Sequence, residues 1–438
     1  MVRLAVLLAL SATTAEGRAV ETSTAVHHVQ LENGLEVFIE VDRRSPQAGL
    51  AVAIDAGSAD DPLGRLGLAH LTEHLAFRRT AHLGDLEIFE RVERAGGRLN
   101  AYTAPDRTVY WAEGPASHLE EWLWIEAERL GSARPTEDDV KVEKKIVDRE
   151  LSDRDGLFRR MWDIEHRALY PAGHRYHPRA NERGQVRRMT PEDVEWFFAA
   201  HYAPDRATLA VVSPFEVERV EAWVRRHFGA LPARGASPPE VQPPARSCPD
   251  AKIVVRSFLR NPRFHSRWSV GPELGADAFE VAVEYGRSRL RQALREADLH
   301  PKTWAHVEPI RTGFEIVLGA RLPADERGAD LDGLAAEAIT ALIEEEVDPA
   351  KIDAAKEKIR WRRIRGWRSP VERAQWLARM QQLGVRPDGW AQRLRAVEPG
   401  DVAQALAALE ASTRVDTYHR YEKGAKKEDI DGERVCGE

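Results

Sequence analysis

The sequence predicts an α+β protein of two homologous domains, each a mostly antiparallel sheet packed with helices. Short strand patterns alternate with longer helical patterns, a proline-rich stretch divides the chain, and the order of patterns after that stretch repeats the order before it. The 438 residues are 43% hydrophobic and 31% charged, a composition and length that allow two globular cores.

The N-terminal residues are typical of a secretory signal. Arg3 gives a positive start, an apolar run covers residues 4–10, and small residues end at Ala15. We therefore predict a signal peptide over residues 1–15 and export to the periplasm. The alternatives are a transit peptide or the apolar N-terminus of a cytoplasmic protein. Later apolar runs are too short to span a bilayer, so we expect no transmembrane segment in the mature chain.

The first domain is predicted to cover residues 24–230. Residues 27–40 alternate around Asn33-Gly34 as a β-hairpin, and residues 67–77 take helical spacing after a strand at 50–56. The patterns that follow are a strand pair at 99–112, a strand at 207–212, and helices at 86–95, 118–130, 136–152, 191–198 and 217–228.

The second domain, predicted over residues 250–438, follows a linker at 231–249 where closely spaced prolines disfavour helix. Its patterns are strands near 252–257, 267–270 and 313–318 and helices at 276–295 and 331–346. We expect this domain to bind no metal. The helical stretch 349–383 is rich in Arg, Lys and Trp, and we expect its charges to form a solvated face.

Charge and cysteine content argue against two kinds of function. The formal net charge of -7 comes from 64 basic and 71 acidic residues mixed along the chain, so no basic stripe is available to bind nucleic acid. Cys248 and Cys436 can form one disulfide in an oxidising compartment, but they lack the CxxC spacing of a thiolate metal site. We assign neither cysteine to the mechanism.

The segment His70-Leu71-Thr72-Glu73-His74 indicates a metal site. On a helix these two histidines share a face with Glu73, so both imidazoles can bind one Zn²⁺ while the carboxylate reaches a water at the open position. The alternative is a helix that carries two partly exposed histidines and a surface glutamate. The metal interpretation predicts hydrolysis and one zinc ion per chain.

A third ligand is expected from the helix at 136–152. Glu150 and Glu143 stand seven residues apart, so both carboxylates lie on the same side of that helix. One can bind the metal while the other supports a ligand. The alternative is an exposed acidic face among neighbouring lysines.

Passages with specific spacing occur along most of the chain. They are Asn33-Gly34-Leu35, Gly57-Ser58, residues 67–77 with Thr80, Gly96-Gly97, residues 100–103 with Asp106 and Tyr110, Glu143 with Glu150, and residues 190–193. In these passages the sequence resembles the pitrilysin/insulinase family of inverted-motif zinc peptidases, which includes the mitochondrial and bacterial processing peptidases. The resemblance implies zinc held by His70, His74 and Glu150, with Glu73 as general base and Glu143 as a supporting acid.

The resemblance also implies how a peptide binds. Asn100 and Ala101 would lie on an edge strand that receives the substrate as an added strand, although a plain structural hairpin is the alternative. In family members whose second domain completes the site, an Arg and a Tyr seven residues apart grip the substrate carbonyl. Here Arg295 remains, while Lys302, or Trp304 after a two-residue insertion, takes the tyrosine position.

We therefore predict that a related partner subunit supplies the Arg and Tyr in a heterodimer, with a homodimer as the alternative. The predicted activity is that of a zinc-dependent endopeptidase acting on peptides or unfolded polypeptide segments. A maturation peptidase for one small peptide is a narrower form of the same prediction. A non-catalytic assembly subunit of the same fold is the alternative from another class.

Overall fold

The computed structural model describes residues 25–154, 157–179, 181–235, 250–257, 259–326, 330–382, 384–423 and 432–435. Within these residues the chain forms two six-stranded sheets, which confirms the predicted fold class. The first sheet contains β1 (Val26–Gln30), β2 (Glu36–Val41), β3 (Gln47–Ile54), β4 (Arg98–Thr103), β5 (Thr108–Pro115) and β6 (Ala207–Ser213). The second contains β7 (Asp250–Ser257), β8 (Arg263–Val270), β9 (Lys302–Ile310), β10 (Gly313–Arg321), β11 (Thr413–Tyr421) and β12 (Gly432–Val435).

Helices cover the sheets in both halves. Those of the first half are α1 (Leu68–Leu75), α2 (Glu87–Arg94), α3 (Leu119–Ser132), α4 (Glu137–Arg154), α5 (Leu157–Leu169), α6 (Glu182–Val186), α7 (Pro191–His201) and α8 (Val217–Phe228). Those of the second half are α9 (Ala276–Glu296), α10 (Leu331–Glu344), α11 (Pro349–Gly366), α12 (Pro370–Gln382), α13 (Trp390–Ala396) and α14 (Pro399–Glu410). None of the described helices is both long enough and apolar enough to cross a membrane.

Most predicted elements are confirmed within a few residues. The elements that were not predicted are α5, α6, β9, β11, β12, α13 and α14. The stretch 349–383 was wrongly predicted as one helical segment. The structure divides it into α11 and α12 at residues 367–369, because Pro370 lacks the N–H that would continue a helix. The predicted signal peptide, most of the predicted linker, Cys248 and Cys436 lie outside the described residues, and the domain boundaries remain predictions.

The two sheets have the same topology. Their strand orders are β1-β2-β6-β3-β5-β4 and β12-β7-β11-β8-β10-β9, so β7 to β11 occupy the positions of β2 to β6. The parallel pair β2–β6 recurs as β7–β11, and the other pairs in both sheets are antiparallel. The edge position that β1 takes in the first sheet is taken in the second by the C-terminal strand β12. In both sheets the opposite edge is a hairpin strand, β4 or β9.

Helix α12 leaves the second half and packs on the outer face of the first sheet. Its apolar side chains join a buried cluster with residues of four strands, namely Phe38, Ala51, Ala53, Val109, Ala210 and Val212 from the sheet and Ala374, Leu377 and Ala378 from α12. Arg373 pairs with Glu40 and Asp42, and all three side chains are buried. The expectation that the charges of residues 349–383 are solvated is therefore wrong for Arg373, because this charge is paired within the contact between the halves.

The close approach of α12 depends on Gly49 in β3. A Cβ atom at this position would lie 2.3 Å from the backbone nitrogen of Val371, so Gly49→Ala must push the helix off the sheet. We expect a loss of about 1–3 kcal/mol in the free energy of unfolding, measured by urea denaturation. Gly400→Ala is the matched control, since a Cβ there meets no atom within 4 Å. Equal stability of both variants would contradict this packing.

Buried ion pairs also join α5 to the second sheet. The carboxylate of Glu315 in β10 accepts a hydrogen bond from the Tyr170 hydroxyl at 2.6 Å, lies 3.2 Å from His166 and pairs with Arg267. Burial raises the pKa of Glu315, but the charge and hydrogen bond of His166, with Arg267 and Tyr170, outweigh burial and lower it to about 2. Glu315 therefore binds its proton less readily in the folded state than in the unfolded state.

This lowered pKa predicts the acid sensitivity of the fold. A carboxyl with a pKa of about 2 when folded and 4.5 when unfolded contributes stability above pH 4.5, and the contribution is lost as the pH falls towards 2. The upper limit of this contribution is on the order of 3 kcal/mol. Glu315→Gln is expected to flatten the dependence of unfolding free energy on pH in that window. The exposed Glu337→Gln is the control, and an unchanged slope for Glu315→Gln would contradict the prediction.

Candidate metal centre

Helix α1 is positioned by contacts at its first turn. The carboxylate of Asp61 accepts hydrogen bonds from the backbone N–H groups of Gly67 at 2.7 Å and Ala69 at 2.8 Å. A carboxylate there satisfies donors that have no partner within the helix and complements the helix dipole. Gly67 has φ +88°, and a Cβ would lie 2.6 Å from Val186 Cγ2, so this position requires glycine.

The histidine side chains of α1 and the carboxylate of Glu150 from α4 converge. His70 Nε2 lies 3.5 Å from one Glu150 oxygen, and His74 Nε2 lies 3.7 Å from the other. One ligand atom from each of the three residues falls within 4.8 Å of the other two. Two segments separated by 75 residues of chain thus bring two imidazoles and a carboxylate to one point.

This arrangement fits a zinc ion. Ligand atoms about 2.0–2.1 Å from a tetrahedral zinc lie about 3.4 Å apart, close to the two histidine–carboxylate distances. The His70 side chain is 9% exposed and that of Glu150 is 37% exposed, so the site opens to solvent on the side of α4. Three protein ligands with one accessible side are typical of catalytic zinc sites rather than structural ones.

Glu143 holds His74 from the far side of the ring. Its carboxylate lies 2.9 Å from His74 Nδ1 and accepts a hydrogen bond from Arg78 Nε at 2.7 Å. Burial raises the pKa of Glu143, but His74 and Arg78 outweigh burial and hold that pKa below its usual value. An ionised Glu143 accepts the Nδ1 proton, which leaves His74 Nε2 directed at Glu150 with its lone pair available to a metal.

We expect Glu143→Ala to weaken zinc binding about 10–100-fold without changing the stoichiometry at saturation, because the variant loses the group that orients His74. Zinc affinity measured by competition with a chelating dye checks this. Glu137→Ala is the control, since Glu137 lies at the exposed start of the same helix and pairs with the exposed Lys141. Zinc affinities that agree for the two variants would contradict a positioning role for Glu143.

Glu73 lies beside the candidate metal ligands and is fixed by the neighbouring strand. Its side chain is buried, and one carboxylate oxygen accepts a hydrogen bond from Thr103 Oγ1 of β4 at 2.6 Å. Glu73 lines the same cavity as His70, His74 and Glu150. Because helix and strand both position it, this carboxylate would be available as a base if the three converging residues held a metal ion.

The structure brings most predicted site residues together. A cavity of about 530 Å³ is lined by His70, Glu73, His74, Phe77, Arg78, Leu86, Phe89, Asn100, Ala101, Tyr102, Thr103, Glu143, Ile146 and Glu150. Arg295 lies exposed on α9 and is not among the lining residues. Lys302 and Trp304 lie in β9, outside this cavity. A substrate-binding role for Arg295 therefore remains a prediction.

Three residues that support the site had no predicted role. Arg78 binds Glu143, Thr103 binds Glu73, and Asp61 caps α1. Arg78 follows His74 by four residues, and this spacing is a local signal for a neighbour on the same face. No local spacing predicts the contacts of Thr103 and Asp61. Each contact depends on where the fold places a strand or a loop relative to α1.

The fold and the candidate site together are those expected of one class of protein, the zinc peptidases with an HxxEH helix. Two family models match the chain, "Insulinase (Peptidase family M16)" over residues 36–180 and "Peptidase M16 inactive domain" over residues 188–359. The chain belongs to the M16 peptidase family, which also includes insulinase and pitrilysin. This confirms the resemblance found in the sequence.

Individual relatives agree with this membership. An uncharacterised zinc protease of Mycobacterium leprae is 31% identical over 234 residues, which cover 51% of this chain and 52% of the relative. The mitochondrial-processing peptidase subunit beta of Saccharomyces cerevisiae is 26% identical over 208 residues, 46% of this chain and 44% of the relative. The matches thus span about half the length of these relatives.

The fold extends further than the sequence similarity. The crystal structure of pitrilysin aligns with a TM-score of 0.80 over 95% of this chain and 47% of that chain, at 18% identity. This chain therefore corresponds in fold to about half of pitrilysin.

Proposed function

We propose that this protein is a zinc-dependent endopeptidase that cleaves peptides or unfolded polypeptide segments. The observation that carries the proposal is the convergence of His70, His74 and Glu150 in one cavity that also holds Glu73. Zinc protease relatives support zinc as the metal. When bound, zinc lowers the pKa of coordinated water towards about 7 and polarises a carbonyl group.

Three residues of the chain have separate roles in the reaction. Glu73 accepts a proton from water as the water oxygen forms a bond to the peptide carbonyl carbon, and it gives a proton to the amine nitrogen when the C–N bond breaks. Thr103 fixes Glu73 through its 2.6 Å hydrogen bond, and Glu143 orients His74. The reaction consumes one water molecule and releases two chain ends, a new carboxyl group and a new amino group.

The edge strand β4 is the proposed docking site for the substrate backbone. It ends the first sheet, and its residues Asn100 and Ala101 line the metal cavity. A peptide that adds to this edge is held by main-chain hydrogen bonds, which recognise extended backbone more than side chains. Unfolded segments are the substrates that can adopt this conformation without first losing their own structure.

The direct test is cleavage by the purified, zinc-loaded chain of quenched fluorescent peptides, with the products identified by mass spectrometry. We expect cleavage at internal bonds, loss of activity with a chelator and recovery with zinc. No cleavage by zinc-loaded protein, alone or with its native partner, would contradict the proposal.

We further propose that a homologous partner subunit completes the substrate site, because Arg295 does not line the metal cavity and Lys302 or Trp304 stands where the family has tyrosine. A relative named as a subunit of mitochondrial-processing peptidase supports this hypothesis. The solitary chain should then turn over slowly, and a co-purified homologue bearing the Arg and Tyr should raise turnover. Full activity of the chain alone would contradict the partner hypothesis.

The alternative is a non-catalytic assembly subunit, and zinc content separates the two functions. An endopeptidase should hold one zinc per chain, whereas a subunit with only a structural role has no need of it. Export to the periplasm is also part of the proposal, and it rests on the signal pattern of residues 1–15. Fractionation of cells and N-terminal sequencing of the mature protein test it.

A further inference from the structure

A second cavity lies on the other side of β4 from the metal centre. It has a volume of about 470 Å³ and is formed by α9, α11, α12 and β9. Its apolar and aromatic lining comes from Val283, Val307, Ile359, Trp367 and Trp376. Tyr102 of β4 lines this cavity as well as the metal cavity, so the two cavities meet at one residue of the edge strand.

The side chains of β4 alternate between the two cavities. Ala101 packs against the core that contains α1, and Thr103 donates its hydrogen bond to Glu73. Tyr102 packs against the cluster that contains α12. A peptide added to β4 has the same alternation, because successive side chains of a strand point to opposite faces of a sheet. When one side chain of the added peptide faces the metal centre, the side chains of the residues before and after it therefore face the second cavity.

The second cavity is lined by tryptophan rings and charged side chains, and two of its arginines, Arg363 and Arg379, carry buried donors. The Arg363 side chain is 10% exposed, and its Nη2 donates a hydrogen bond to Glu280. Its Cζ atom lies 5.1 Å from the centroid of the Trp376 ring and 4.6 Å from that of the Trp390 ring. Among the described residues Arg363 Nη1 is buried without a hydrogen-bond partner. A buried donor in this state favours a ligand oxygen, and flat tryptophan faces favour an aromatic ring.

We propose that this cavity is a specificity subsite for a tyrosine side chain of the substrate, an inference that rests on peptide docking at β4 as set out under the proposed function. The ring packs among Trp367, Trp376 and Val307, and the phenolic oxygen accepts a hydrogen bond from Arg363 Nη1. The subsite selects a residue at an odd-numbered distance along the peptide from the residue that faces the metal centre. Substrates of this protein are then extended segments that carry tyrosine at that position.

Gly366 offers a way to fill the cavity without rebuilding it. It lines the cavity at the end of α11, and a Cβ there meets no atom within 4 Å, so Gly366→Phe introduces a ring into open space. Gly400→Phe is the matched control. Gly400 lies in α14, does not line the cavity, and a Cβ there also meets no atom within 4 Å.

The experiment measures binding separately from turnover. Fluorescein-labelled extended peptides with tyrosine, phenylalanine, lysine or alanine scanned through one position at a time are titrated by fluorescence anisotropy. The protein is the zinc-loaded Glu73→Gln variant, alone and combined with Gly366→Phe or Gly400→Phe. The same peptides are also cleaved by protein with an intact Glu73, and mass spectrometry of the products identifies the cleaved bond. The cleaved bond shows which peptide residue faces the metal centre.

We expect tyrosine at one position to strengthen binding at least fivefold over alanine and several-fold over phenylalanine. Gly366→Phe should abolish this preference and Gly400→Phe should retain it. Peptide binding without a tyrosine preference, or a preference that survives Gly366→Phe, overturns the subsite and leaves the endopeptidase proposal intact. A preference lost in Gly366→Phe without cleavage by any zinc-loaded form overturns the endopeptidase proposal and supports the subsite. Absence of peptide binding overturns both.

Discussion

Glu73→Gln is expected to stop peptide cleavage while zinc remains bound. The amide keeps the size of the carboxyl group and can still accept the hydrogen bond that Thr103 makes at 2.6 Å, so the local structure should be preserved. It cannot take a proton from water, and a positioned general base contributes about 10²–10⁴-fold to the rate. The expected loss in kcat is therefore at least 100-fold.

Two measurements on the same sample check this expectation. Zinc content by elemental analysis should stay at one per chain, and peptide turnover should fall to the background of the chelated protein. Glu93→Gln is the matched control, because Glu93 is exposed on α2 and does not line the metal cavity. Turnover by Glu73→Gln at the rate of the unchanged protein would remove Glu73 from the mechanism.

Glu150→Ala is expected to abolish zinc binding and, with it, activity. The carboxylate is the only group from α4 among the three that converge, and its loss leaves two imidazoles on one helix. Zinc affinity should fall by more than the 10–100-fold that is typical when an outer partner of a ligand is removed. Because a ligand that binds only the folded state stabilises it, the chain with Glu150 should gain thermal stability on addition of zinc.

The melting temperature with and without zinc measures this directly. The unchanged protein and the control Glu137→Ala should show the same zinc-dependent rise, and Glu150→Ala should show none. A full rise in Glu150→Ala would mean that zinc binds elsewhere, and the site would then have to be redefined. Comparison with Glu143→Ala distinguishes a residue that binds zinc from a residue that orients a ligand. Glu143→Ala should bind zinc more weakly but should still show the full rise in melting temperature at saturating zinc.

The convergence of the candidate metal ligands could be predicted from the sequence because its signals are local. The spacing of His70, Glu73 and His74 fixes their common face within one helix, and Glu143 and Glu150 share a face of α4 for the same reason. Helical periodicity does not show that α1 and α4 pack against each other, so this contact had to be inferred from other signals. The duplicated topology was predictable in outline, because both halves repeat the same order of strand and helix patterns.

The features that sequence analysis missed depend on contacts between distant segments. The docking of α12 on the first sheet depends on Gly49, a residue 321 positions before Pro370, and no periodic pattern reports such a pair. The charge pattern of α12 suggested a solvated face, yet Arg373 is buried against Glu40 and Asp42. The second cavity could not be predicted either, since α9, α11, α12, β9 and Tyr102 meet there only after both halves have packed.

The crossing of α12 also affects the order in which the nascent chain can mature. Synthesis proceeds from the N-terminus, so all six strands of the first sheet leave the ribosome before Gln382, the last residue of α12. Until then Phe38, Val109 and Val212 lack the contacts that α12 makes on the outer side of the sheet. The outer face of the first sheet can therefore be completed only after most of the chain has been synthesised.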